Sequence, residues 1–234
     1  MYDEYYKRHG SDRNDLLSNP EVLFQTFAID RANISALRTL DLDRSTAKVL
    51  DVGCGAGSSL FQFVRLGFNA QNLTGVDNSA ERIEEARHVL PTVTFHAASA
   101  ESLPFEDSTF DLVFESTMLG TLESQSLLQS IAREMIRVCK SGGYIMLADW
   151  RYSKKGSGVK TAISKSFIER TFKVGETTRI VSQTRGALVP PVGRRLSRIA
   201  PSLYFLAQTF IPPAAAQVTT VLCKSGALIP PSVT

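Results

Sequence analysis

Three glycines and a scatter of carboxylates in the first two thirds of the chain fall at spacings suited to a polar, nucleotide-like ligand. Gly53, Gly55 and Gly57 break an apolar run, Val49-Leu50-Asp51-Val52, from a second one, Ser58-Ser59-Leu60-Phe61. Glycines at such a break let the chain turn through positive φ, and let a ligand approach without Cβ interference. Asp77 follows Gly57 by 20 residues, about where a doubly wound fold sets an acid against ribose hydroxyls. Its alternative is a capping role at the helix expected over 80–90. Asp149 closes another apolar run, and an acid at a strand end can act as a general base toward a substrate lying beyond the sheet. It can equally be a structural acid that pairs with Arg151 or caps a neighbouring element.

The elements that must hold these residues alternate. The pattern predicts strands at 48–52, 73–77, 93–97, 110–115 and 144–149, the last entered through a Ser141-Gly142-Gly143 turn. Helices are expected over 58–66, 80–90 and 123–140. Gly67 and Pro91 act as stops. Such alternation specifies a parallel sheet with helices on both faces. Before it, 20–40 reads as one or two helices opened by Pro20 after Asn19. The polar 2–19 stretch, with Tyr2, Tyr5, Tyr6 and His9, is either a terminus or a lid. Beyond Trp150 a helix is expected over 159–171, strands over 172–183 and 218–224, and short helices over 193–199 and 202–210.

At 234 residues, 43% hydrophobic and 21% charged, the composition fits one soluble α/β domain. No apolar run is long enough to span a bilayer. Cys54, Cys139 and Cys223 follow no metal-ligand spacing and suit a reduced, cytoplasmic setting. The net charge of +3 hides an asymmetry. Residues 1–150 carry 13 Lys and Arg against 21 Asp and Glu, a net −8, while 151–234 carry 13 against 2, a net +11. The basic third suggests an anionic partner or a solvated face.

The glycine turn with Asp51, then Gly75-Val76-Asp77-Asn78-Ser79, Ala98-Ser99-Ala100-Glu101-Ser102-Leu103-Pro104-Phe105, and Lys140-Ser141-Gly142-Gly143 occur in order over 48–149. In this the chain resembles class I S-adenosyl-L-methionine (SAM) dependent methyltransferases of the small-molecule type. The resemblance implies a Rossmann-like, seven-stranded, mostly parallel sheet with helices on both faces and its last strand antiparallel. It implies a single domain over 1–234: a helical or lid segment to 46, a SAM-binding core over 47–150, and a substrate-side part over 151–224 with an insertion over 185–213.

It also implies roles for particular residues. Gly53, Gly55 and Gly57 would lie under the methionyl and ribose portion, Asp51 would support the ammonium, and Asp77 would hold the ribose. Asn78 would border the adenine. Ser99, flanked by Ala100 and Glu101, replaces the acid common there. Glu115 and Ser116 would flank the methionyl group. The implied reaction is O-methylation of a sugar or other metabolite, with S-adenosyl-L-homocysteine as product and Asp149 as first candidate base. His88 and His96 read as structural or solvated rather than catalytic, and no metal site is implied.

Other readings are a carbon or nitrogen acceptor, a non-catalytic SAM-binding module and a nicotinamide-dependent oxidoreductase. The last wants Gly or Ala where Ser58 stands. No nucleic-acid motif accompanies the basic third. Arg185, Arg194, Arg195 and Arg198, among apolar residues, instead suit an anionic or lipid-linked small molecule, or peripheral contact with a membrane.

Overall fold

The computed structural model describes residues 16–153 and 158–226. Tyr2, Tyr5, Tyr6 and His9, and hence the lid expected there, lie outside the described residues. Helix α1 (Pro20–Leu37) opens as its sequence suggests: Asn19 accepts the Glu21 N–H at 3.2 Å and Pro20 occupies the first turn. Strand β1 (Val49–Val52) leads through the glycine turn into α2 (Ser58–Arg65). Next come β2 (Leu73–Asp77), α3 (Ala80–Val89), β3 (Thr94–Ala97) and β4 (Phe110–Ser116). Helix α4 (Gln125–Val138) and β5 (Cys139–Trp150) complete the first half of the alternation. The remainder is α5 (Lys165–Thr171), β6 (Thr178–Arg185), α6 (Pro190–Ile199), α7 (Ser202–Phe210) and β7 (Gln217–Lys224).

The seven strands form one sheet in the order β3-β2-β1-β4-β5-β7-β6. Strands β1 to β5 pair in parallel, while β7 runs antiparallel to both neighbours. Period-two alternation divides the side chains between two cores. Leu50, Val52, Val113 and Ile145 pack with Leu128 and Met135 of α4 and Phe167 of α5. Val49, Leu112, Phe114 and Met146 pack on the other face with Leu60 of α2, Ile83 of α3 and Ala36 of α1. Thr219 of β7 donates to Asn33 of α1 at 2.8 Å, tying that helix to the same sheet.

Two expected elements are shorter than their apolar spacing suggests. The helix begins at Lys165 because the preceding residues are taken by tertiary hydrogen bonds. The N–H groups of Lys160 and Thr161 donate to Gly120, and that of Ile163 to Trp150; Ser164 then caps α5. The sixth strand begins at Thr178 because Lys173 and Gly175, both at positive φ, turn the chain first.

Gly75 shows how tightly the sheet centre is packed. A Cβ there would lie 2.7 Å from the Cys54 sulfur and 2.7 Å from the Phe95 ring. Both neighbours are buried. Gly75→Ala is therefore expected to destabilise the fold by about 1–3 kcal/mol. Denaturant unfolding checks this, with a lower midpoint expected at unchanged slope.

Candidate functional site

Strand order reverses at β1, with β2 on one side and β4 on the other. A switch point of this kind leaves a crevice beyond the carboxyl ends of the strands. A pocket of about 440 Å³ occupies it, a volume suited to a small organic ligand. Its lining comes from the ends of four strands: Gly53 after β1, Asp77 to Ser79 at β2, Ala98 to Glu101 after β3, and Ser116 to Met118 at β4. Leu122, Leu127 and Ile131 form an apolar wall.

Asp77 is held in place by backbone. Its Oδ2 accepts the Gly55 N–H and its Oδ1 the Ser79 N–H, each at 2.9 Å. The cap of α3 is Ser79, whose hydroxyl accepts the Arg82 N–H. Asp77 thus has no need to serve as that cap, and each of its oxygens retains lone-pair capacity toward the pocket.

The three glycines divide their work. All have positive φ, at 76°, 52° and 85° for Gly53, Gly55 and Gly57. Only Gly53 lines the pocket, and a Cβ there would lie 2.5 Å from Met118 Cγ. A Cβ on Gly57 would meet Phe95, Leu90 and Ala86, so this glycine brings α2 and α3 close to the sheet. Gly55 lies outside the lining. Its N–H anchors Asp77, and a Cβ there would come 3.2 Å from the Arg82 guanidinium.

Of the proposed ligand-binding residues, Gly53, Asp77, Asn78, Ser99, Ala100, Glu101 and Ser116 meet at the pocket, whereas Asp51, Gly55, Gly57 and Glu115 do not line it. Asp51 and Glu115 are buried, at 1% and 0% exposure. Asp51 Oδ2 and Glu115 Oε1 have no hydrogen-bond partner among the described residues. Burial, then the nearby Asp77 charge, pushes the Asp51 carboxyl up to about 8. Burial, then Asp149, raises Glu115 well above the carboxylate range. Its Oε2 accepts the N–H groups of Met118 and Leu119 at 3.3 and 3.4 Å.

Asp149 is also buried and lies outside the pocket lining. Its Oδ2 accepts the Gly120 N–H at 2.7 Å and its Oδ1 the Trp150 N–H at 2.6 Å. Burial raises its carboxyl to about 7 against the opposing pull of those two donors. Arg151 is not its partner: that guanidinium donates to the Pro212 carbonyl and stacks over Tyr152. His96 packs edge-on against Phe105 with centroids 5.2 Å apart, and His88 is exposed on α3.

Sequence reasoning missed Arg82, Thr117 and Met118, which also line the pocket. Arg82 carried a signal, lying three residues past Ser79 in the first turn of the helix that follows Asp77. Thr117 carried none, since its φ of 59° is a conformation a β-branched residue rarely adopts.

Comparison with known proteins agrees with this geometry. Residues 43–183 match the family described as "Methyltransferase domain". Over 203 residues the chain is 28% identical to the ubiquinone/menaquinone biosynthesis C-methyltransferase UbiE of Pseudomonas paraeruginosa, covering 84% of this chain and 67% of that relative. A 131-residue stretch is 30% identical to phthiotriol/phenolphthiotriol dimycocerosates methyltransferase 1 of Mycobacterium ulcerans, covering 54% of this chain and 46% of that protein. A 106-residue stretch is 35% identical to 2-methyl-6-phytyl-1,4-hydroquinone methyltransferase of Synechocystis sp., covering 44% and 31%. The match thus spans less than half the length of these last two relatives. The crystal structure of PH0226 protein from Pyrococcus horikoshii OT3 shares the fold, with a TM-score of 0.63, 20% identity, and coverage of 95% of this chain and 99% of that one.

Family and fold imply SAM as cofactor, and the residues present fit it. A carboxylate lines the pocket at the end of β2, Gly53 puts no Cβ into it, and the buried Asp51 and Glu115 at the ends of β1 and β4 each keep an unpartnered oxygen. The chain belongs to the SAM-dependent methyltransferase family.

Proposed function

We propose that this chain transfers a methyl group from SAM to a small-molecule acceptor of apolar character. The observation that carries the reading is the switch-point pocket, where the Asp77 carboxylate and the open backbone of Gly53 face the same space. When bound, SAM supplies a methyl group already activated on a sulfonium. Asp77 then accepts hydrogen bonds from vicinal ribose hydroxyls, and Asn78, Ser99, Ala100 and Glu101 border the adenine. Asp51 and Glu115, whose carboxyls burial holds protonated to unusually high pH, offer unpartnered oxygens to the ammonium of the methionyl end. The apolar wall of Leu122, Leu127 and Ile131 excludes water. Alignment of donor and acceptor supplies most of the acceleration such a reaction needs.

Acceptor chemistry follows from where the bases are. A hydroxyl acceptor needs a base within hydrogen-bond reach. Asp149 lies outside the pocket with both oxygens engaged by backbone, which suits a residue that positions Gly120. An electron-rich carbon carries its own activation and makes less demand on the protein. Two relatives, one named a hydroquinone methyltransferase and one a C-methyltransferase of ubiquinone/menaquinone biosynthesis, support that acceptor class.

The test is to incubate the protein with methyl-labelled SAM and either a prenylated hydroquinone or a free sugar, and to locate the label by mass spectrometry. Label on a ring carbon is expected. Label on a sugar oxygen would return the acceptor to a hydroxyl and Asp149 to the role of base. SAM bound with no product from either would favour a non-catalytic SAM-binding module.

A further inference from the structure

The insertion between β6 and β7 folds as two short helices, and their outer sides carry the most exposed large apolar side chains of the substrate-side part. On α7, Tyr204 and Gln208 turn inward. Leu203, Leu206 and Phe210, spaced three and four residues apart, are 48%, 51% and 75% exposed. Ile199 at the end of α6 is 74% exposed and Ile211 just beyond α7 is 52% exposed, so exposed apolar side chains also flank the stripe in sequence. Residues at this spacing form one stripe on a helix. The chain breaks between the two helices at Pro201, as proline requires.

The arginines of the insertion separate into two kinds. Arg185 donates to the Thr209 carbonyl at the end of α7, and Arg194 pairs with Glu21 of α1 at 3.5 Å. Those two hold the hairpin together and to the body of the fold. Arg195 and Arg198 are exposed on α6 and have no ion-pair partner among the described residues. Gly193 and Ser197 form the buried side of α6. Residues 185–213 contain no Asp or Glu.

We propose that this face is a docking surface for an anionic lipid bilayer, with Leu203, Leu206 and Phe210 entering the headgroup boundary and Arg195 and Arg198 meeting lipid phosphates. An exposed apolar stripe bordered by unpaired arginines matches such a surface in both properties. Charge argues against a second copy of the chain as the occupant, because two such faces would bring like-charged arginine pairs together. The hairpin also lies at the working end of the sheet. It follows Arg185 at the end of β6 and returns at Gln217, which is paired with Trp150 at the end of β5. Docking there would bring the pocket's edge of the sheet toward the membrane. The surface itself stands independently of the acceptor assigned above.

The test is co-sedimentation with vesicles of phosphatidylcholine alone or with phosphatidylglycerol, at low and high salt. The parent protein is expected to pellet with the anionic vesicles and to be released by salt. Leu206→Ser combined with Phe210→Ser is expected to cut vesicle binding by about tenfold or more. Arg195→Gln combined with Arg198→Gln is expected to remove the salt-sensitive part. SAM affinity at the parental level in both variants confirms that they fold, and reports on the pocket separately. A parent that stays in the supernatant with anionic vesicles overturns the proposal. So does a Leu206/Phe210 variant that pellets like the parent. A concentration-dependent dimer lost in that variant, without vesicle binding, would assign the face to self-association instead.

Discussion

Replacing Gly53 with valine is expected to abolish SAM binding. The position has φ of 76° and lies in the pocket wall. A Cβ there would stand 2.5 and 2.8 Å from Met118 Cγ and Cβ, closer than any relaxed contact. Met118 is itself part of the lining, so relief by moving it narrows the pocket further. A β-branched side chain at positive φ adds backbone strain of roughly 1–3 kcal/mol. Asp77→Asn is the gentler companion. It keeps shape and removes charge, and the loss of charged hydrogen bonds should weaken SAM binding by about 1–3 kcal/mol, roughly 5- to 150-fold. Calorimetric titration of both variants, with melting curves to show that each is folded, provides the check. Parental affinity in both would remove the pocket from consideration as the SAM site.

Gly53 rather than Gly55 is the position to change, which shows how far the sequence reaches. The strand, glycine turn and helix were legible because a continuous apolar, β-branched-rich run and helical spacing meet at a break of glycines. The 20-residue step to Asp77 located a second strand end, and right-sized alternation specified the sheet. Which glycine lines the pocket was not legible, because that depends on the approach of Met118 from just beyond β4, over 60 residues away. Asp149 failed to declare its surroundings for the same reason. Strand parity places it on the α4–α5 side with Ile145 and Leu147, but its capture by the Gly120 N–H is a tertiary event. Residues 159–164 illustrate the converse. Their local spacing favours helix, and the carbonyls of Gly120 and Trp150 draw their N–H groups into tertiary hydrogen bonds instead.

A second large effect is expected from pH. Asp51, Glu115 and Asp149 are buried carboxyls whose affinity for protons is raised in the folded state, to about 8 for Asp51 and about 7 for Asp149. In the unfolded chain such groups titrate near 4. Between about pH 4 and 8 the folded protein therefore holds protons that the unfolded chain has released. Stability must fall as pH rises through that window, by about 1.4 kcal/mol per pH unit for each proton held, and the shares of Asp149 and Asp51 level off above about pH 7 and 8. The burial of negative charge without a cation is the cause, and it is useful to a site that receives a positively charged ligand. Asp51→Asn should separate the two consequences. A neutral amide resembles the protonated acid, so the variant should lose one proton's share of the slope and be more stable than the parent near pH 8. It should also bind SAM less tightly there, having given up a buried anion behind Gly53. Denaturant unfolding from pH 5 to 9, run with and without SAM, measures both. A variant whose stability follows the parent's pH dependence would show that Asp51 is ionised in the folded protein at neutral pH, with its charge already compensated.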